Sequence, residues 1–144
     1  MISLTVPGRI EYRDIAVRVI GGACKILDST IKDSDQFATE VVSAFSEAFN
    51  NAVLHGYRGL EPGPLEIVIT PTRLPGGLGE LMIAITDHGH TFDPAEHQQA
   101  PDELPERGMG LFIMRSFTDE LRYQPGPPNT LTLVKRFTPQ SARP

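Results

Sequence analysis

The chain has 144 residues, a net charge of −5, 40% apolar and 22% charged residues, the size and composition of one globular domain with its own hydrophobic core. The acidic balance argues against a protein that coats nucleic-acid phosphates, so no direct nucleic-acid partner is expected. No apolar run approaches the roughly 20 residues that cross a bilayer. The opening MISLTVPGRIEYRD lacks a charged segment followed by an apolar one, and Cys24 is the only cysteine, so a reduced cytoplasmic setting with no membrane contact is expected.

Residues 3–6 alternate like a short strand and are closed by Pro7-Gly8. Residues 11–27 read as a helix with Ile15, Val19, Ala23 and Ile26 on one face and Ile20 and Leu27 beside them; Cys24 lies in the same periodic segment and reads as a packed core thiol. Gly21-Gly22 weakens such a helix by about 1 kcal/mol per glycine relative to alanine, which a close helix crossing there would explain. The polar stretch DSTIKDSD, residues 28–35, offers Ser34 or Asp35 as the N-cap of a second helix.

That second helix, residues 37–57, has an apolar face of Phe37, Val41, Phe45, Ala48, Ala52 and Val53. Glu47, Asn51 and His55 stand four apart and stack along another stripe. A carboxylate and an amide supply hard oxygen atoms of the kind that bind Mg²⁺ or take a proton. A loop, YRGLEPGP, leads to strands at residues 65–72 and 80–86 around a Pro75-Gly76-Gly77 turn, an antiparallel hairpin. DHGHTFD ends the second of these strands, and residues 94–107 form a polar loop with three prolines. Gly108-Met109-Gly110 opens a short helix at 111–117, and residues 119–123 and 130–137 are two further strands around PGPPN. Segregated strands and helices indicate an α+β fold in a single domain, residues 1–138, followed by a disordered tail at 139–144.

Taken singly, the polar signals have ordinary explanations. Asp87-x-Gly89 is a common turn, His55-Gly56 a common helix ending, and Gly108-Met109-Gly110 a flexible lead into a helix. Together, SEAFNNAVLHGY (46–57), ITDHGHTFDP (85–94) and ERGMGLFIMRSFTDEL (106–121) stand in an order and at spacings that resemble the Bergerat-type ATP-binding fold of gyrase, histidine kinases and MutL. Within that superfamily the chain most resembles the anti-sigma-factor serine/threonine kinases.

The resemblance implies an α/β sandwich, the histidine-kinase-like ATPase fold, with a mostly antiparallel sheet and helices on one face. It also implies ATP and Mg²⁺ as cofactors. Glu47 resembles the general base beside the attacking hydroxyl, and Asn51 the amide that holds Mg²⁺ against the phosphates. Asp87 resembles the acceptor for the adenine amino group, with Gly89 letting the base approach the backbone. Gly108 and Gly110 resemble the phosphate-side glycines at a helix N-terminus. The loop 95–107 resembles a lid, with Arg107 its candidate for the γ-phosphate. Thr130 matches a threonine near the adenine, although Asn129-Thr130 stands where Gly-Thr is common. The partners implied are a sigma factor, a STAS-domain anti-sigma antagonist that receives the phosphate, and a second copy in a homodimer. The alternative is a sequestering module that binds ATP and a sigma factor but barely transfers phosphate.

Overall fold

The computed structural model describes residues 1–91 and 106–140. The chain runs through β1 (Ile2–Pro7), a 3-10 turn (Ile10–Tyr12), α1 (Arg13–Ile26), a second such turn (Asp28–Thr30), α2 (Ser34–Asn50) and a π-helical turn (Asn51–Gly56). It continues through β2 (Pro64–Arg73), β3 (Gly79–Asp87), α3 (Glu106–Phe117), β4 (Glu120–Gln124) and β5 (Asn129–Phe137). The strands form one sheet in the order β1-β2-β3-β5-β4, and every neighbouring pair is antiparallel.

The two-residue strand period sorts the sheet into two faces. Leu65, Ile67 and Ile69 of β2, Leu81, Ile83 and Ile85 of β3, and Leu131 and Leu133 of β5 share one face and are buried. Val41 and Ala44 of α2 pack over Leu81, Ile83 and Leu133. Each large apolar side chain so buried contributes about 1.5–3 kcal/mol. Phe45 and Phe49 of α2 are fully buried, their ring centres 6.2 Å apart. Lys135 of β5 reaches α2 with an ion pair to Glu40 at 2.6 Å, and donates to the Phe117 carbonyl at 2.8 Å. That one ammonium ties together β5, α2 and the end of α3.

The opposite sheet face carries polar ladders. Arg136 bridges Glu80 at 3.2 Å and Glu120 at 3.3 Å, and Arg122 pairs with Glu120 at 2.7 Å. The Thr86 and Thr130 hydroxyls lie 3.0 Å apart on the same side. Helices therefore cover one face of the sheet, as expected for an α+β sandwich.

Several local expectations are corrected. The buried face of α1 is Ala16, Ile20, Ala23 and Cys24, whereas Ile15 and Ile26 are exposed. Small side chains, rather than the largest apolar ones, make up most of that inner face. A Cβ on Gly21 or Gly22 would meet nothing within 4 Å, so among the described residues no helix crosses there. Helix α2 begins after Asp33, a left-handed residue (φ 56°) whose side chain makes no cap hydrogen bond. Two residues of the expected tail are held in place: Pro139 bridges to Ile31, and the Gln140 amide donates to the Thr30 carbonyl at 2.7 Å.

The last turn of the long second helix also departs from a regular α-helix. Tyr57 N–H donates to the Ala52 carbonyl at 3.1 Å, five residues back, the spacing of a π-turn. Widening this turn brings the Gly56 carbonyl to the His90 amide at 2.6 Å and sets Gly56 against Asp87.

Candidate nucleotide site

Helix α2, its π-turn and the end of β3 meet at one cleft, whose lining includes Asn51, Ala52, Gly56, Asp87, His90 and Leu131. Ala52, Leu131 and the neighbouring Ile85 give it apolar walls; Asn51 and Asp87 put an amide and a carboxylate at its polar points. The enclosed space is about 10 Å³, room for about one water molecule, so a purine ring would enter only as these walls part.

Asp87 ends β3 and is 9% exposed. Its Oδ1 accepts from the Gly89 amide at 2.8 Å and from Asn129 Nδ2 at 3.1 Å. Gly56 packs directly on this carboxylate: a Cβ there would lie 3.3 Å from Oδ1. Gly89 has no room for a side chain, because its Cβ would overlap the Gly56 carbonyl. The role for glycine at 89 is close approach of two backbones.

Tyr57 braces the same corner. Its hydroxyl donates to the Pro64 carbonyl at 2.8 Å and accepts from the His88 amide at 3.0 Å. Burial pushes the Tyr57 phenol above its ordinary value, because desolvation disfavours the phenolate. His90 Nε2 lies 2.8 Å from the Arg58 carbonyl, so the loop after β3 is stitched to the segment after the π-turn.

Glu47 stands one turn before Asn51 and outside the cleft, in an adjoining groove with Arg13, Asp14, Ser46 and Asn50. Arg13 donates to Asn50 Oδ1 at 2.8 Å across that groove. Gly110 of α3 abuts the Glu47 carboxylate, since a Cβ on Gly110 would be 2.9 Å from Oε2. Glu47 of α2 and Asn51 of its π-turn thus stand one helical turn apart, and Asp87 of β3 packs on Gly56 at the end of that turn.

The profile of a family described as the histidine kinase-like ATPase domain matches residues 13–135. The chain belongs to that family. An anti-sigma F factor from Halalkalibacterium halodurans is 29% identical to it over 148 residues, spanning 98% of this chain and 95% of that protein. The serine-protein kinase RsbW of Bacillus subtilis is 28% identical over 143 residues, 93% of this chain and 84% of that protein. Among solved structures, a chain from the SiaB–SiaC complex of Pseudomonas aeruginosa matches with a TM-score of 0.52 and 16% identity, covering 95% of this chain and 90% of that one; that likeness is one of fold.

Within this histidine kinase-like ATPase domain, Asn51 and Asp87 line the cleft, the Gly89 amide bonds the Asp87 carboxylate, and Glu47 and Gly110 meet outside it. Thr130 does not join them. Asn129 pairs in register with Asp87 and shares its face, so Thr130, one residue on, projects to the other side and bonds Thr86. The expectation that Thr130 lies near the base is corrected by strand parity. Gly108 and Gly110 lie inside α3 rather than before it. A Cβ on Gly110 would crowd the Glu47 carboxylate. The Arg107 side chain and residues 95–105 of the expected lid lie outside what the structure describes. His55, expected on the stripe of Glu47 and Asn51, lies in the π-turn and is not among the residues lining the cleft.

Sequence reasoning missed Gly56, Tyr57 and Asn129 as parts of the site. For Asn129 a signal existed in its departure from the common glycine. For Gly56 and Tyr57 the pairing with residues 31 or more positions away carries the information.

Proposed function

We propose that this chain is an anti-sigma factor that is also an ATP- and Mg²⁺-dependent protein serine/threonine kinase, acting on a STAS-domain anti-sigma antagonist in a bacterial partner switch. Relatives named anti-sigma F factor and serine-protein kinase, aligned over 98% and 93% of the chain, support both halves of the reading. The observation that carries it is the placing of Glu47 and Asn51 one turn apart on α2 and its π-turn, with Asp87 of β3 packed on Gly56 at the end of that turn. It matches the succession of adenine, phosphates and acceptor hydroxyl in a phosphoryl transfer.

In that reaction the antagonist's hydroxyl oxygen forms a bond to the γ-phosphorus as the bridging bond to the β-phosphate breaks, and ADP leaves. Glu47 accepts the hydroxyl proton. Asp87 binds the base, and the apolar walls from Ala52, Ile85 and Leu131 hold its ring. Among the described residues no three acidic, histidine or cysteine side chains converge to hold a metal by themselves. One amide oxygen from Asn51 fits Mg²⁺, which commonly takes few protein ligands and completes its shell with phosphate oxygens and water. Bound there, Mg²⁺ would neutralise developing phosphate charge.

Phosphorylation of the antagonist adds nearly two negative charges, enough to disrupt an interface by repulsion and desolvation. The antagonist and a sigma factor would thus compete for this protein. A homodimer would form through the helix-free sheet face or the β1 edge, whose outer side pairs with no other strand among the described residues. No helix of the described residues is long and apolar enough to cross a membrane, in keeping with a cytoplasmic role.

The test is transfer of γ-phosphate to the purified STAS-domain antagonist by the wild type and Glu47→Ala. Transfer by the wild type that falls at least about 100-fold in the variant supports the reading. Undiminished transfer by the variant removes Glu47 as base. ATP binding without transfer by the wild type would mark a sequestering module.

A further inference from the structure

Asn129 has no exposed surface and uses all its hydrogen-bonding capacity. Its Nδ2 donates to Asp87 Oδ1 at 3.1 Å and to the Gly89 carbonyl at 2.9 Å, with a longer approach of 3.4 Å to the His90 carbonyl. Its Oδ1 accepts from Thr91 Oγ1 at 2.7 Å and from the Gly126 amide at 2.9 Å. A side-chain amide offers two donor hydrogens and two acceptor lone pairs, and here both sets are engaged. The amide cannot rotate without breaking contacts on both sides.

The consequence falls on Asp87. Its Oδ1 already receives two N–H groups, from Gly89 and Asn129, which fills the two lone pairs of that oxygen. Among the described residues, Oδ2 takes no hydrogen bond. Because Asp87 lines the cleft, its carboxylate presents one committed oxygen and one open acceptor, in a fixed plane.

We propose that Asn129 is the positioning residue that sets adenine specificity: by saturating Oδ1 it locks Asp87 so that Oδ2 alone is offered to the 6-amino group. The role rests on the nucleotide reading above. Locking matters because selectivity for a donor on the ligand depends on a buried acceptor that cannot turn to find another partner. A carboxylate free to rotate would satisfy itself with water or loop amides and lose its preference.

The experiment compares binding of ATP and of purine riboside triphosphate, which differs only in lacking the 6-amino group, by calorimetry on the full chain. Asn129→Asp keeps an oxygen for Thr91 and Gly126 but turns the donor facing Asp87 into an acceptor. Asn129→Ser removes both sides and leaves room for water. The wild type should prefer ATP at least about tenfold, and both variants should bring the ratio to within about threefold of unity. Thermal melting of each variant accompanies the titrations. A purely structural asparagine would weaken both nucleotides alike and keep the ratio, which overturns the inference while leaving the ATP site intact. Loss of fold in both variants would likewise assign Asn129 to the architecture alone. A wild type that binds neither nucleotide, or both equally, would sink the adenine reading itself and this inference with it.

Discussion

Gly110 of α3 faces the Glu47 carboxylate of α2 with no side chain between them: a Cβ at 110 would stand 2.9 Å from Glu47 Oε2 and 3.8 Å from its Cβ. Carboxylates on flexible stems can move aside, so Gly110→Ala should fold, but it should displace the group proposed as the base. Phosphotransfer should fall by about 10- to 100-fold with ATP affinity little changed. Steady-state phosphorylation of the antagonist beside an ATP titration separates the two; equal loss of ATP binding would place Gly110 at the phosphates instead.

Asn51 lies half-buried at the middle of the cleft, so its truncation leaves no large cavity and the fold should persist. Asn51→Ala should bind ATP with the same affinity in the presence and absence of Mg²⁺, whereas the wild type should tighten when Mg²⁺ is added. Persistence of the Mg²⁺ effect in the variant would show that the ion is held elsewhere.

Gly21 and Gly22 occupy the interior of α1 with open space around both positions. Alanine at either should stabilise the protein by about 0.5–1 kcal/mol, by its helix propensity and by restricting the unfolded chain. The double variant should melt several degrees higher. A fall in melting temperature would mean that another molecule or an unseen contact uses that surface.

The hydrogen bond from Lys135, first among the causes, holds the Glu40 carboxyl below its ordinary value of 4.5. The unfolded chain therefore takes up this proton more readily, and the pair's contribution is complete above about pH 4.5 and is lost as pH falls through the lower folded value. Glu40→Gln should cost about 1–3 kcal/mol near neutrality, with the gap to wild type closing as pH is lowered below that point. Denaturant titrations from pH 7 down to pH 3 measure it; a constant gap would attribute the loss to packing.

Tyr57→Phe removes the acceptor of the His88 amide and the donor to the Pro64 carbonyl. Leaving those groups unpaired should cost about 1–3 kcal/mol. Because burial raises the Tyr57 phenol above its ordinary 10.0, the unfolded tyrosine ionises first, and wild-type stability should decline as pH rises past that value. The variant should lack this part of the alkaline decline. Melting curves at pH 8 and pH 11 decide it.

By itself the sequence determined the order of elements, the β2–β3 hairpin and the inner face of α2, because periodicity and turn chemistry act within three or four residues, whereas grouping Glu47 and Asn51 with Asp87 and Gly89 rests on the resemblance to a family. Phe37, Val41, Phe45 and Ala48 are buried as their spacing predicts. The tertiary structure decided the rest. Which side of α1 turns inward, burying Ala16 and Ala23 and exposing Ile15 and Ile26, depends on what the rest of the chain packs against it. Whether the helix after Asn50 keeps its pitch depends on where Gly56 must meet His90, a contact across 34 positions that no local propensity encodes. Whether Thr130 or Asn129 faces Asp87 depends on the register of β5 on β3, and since side chains alternate, a shift of one residue exchanges a hydroxyl on the outer face for an amide in the site.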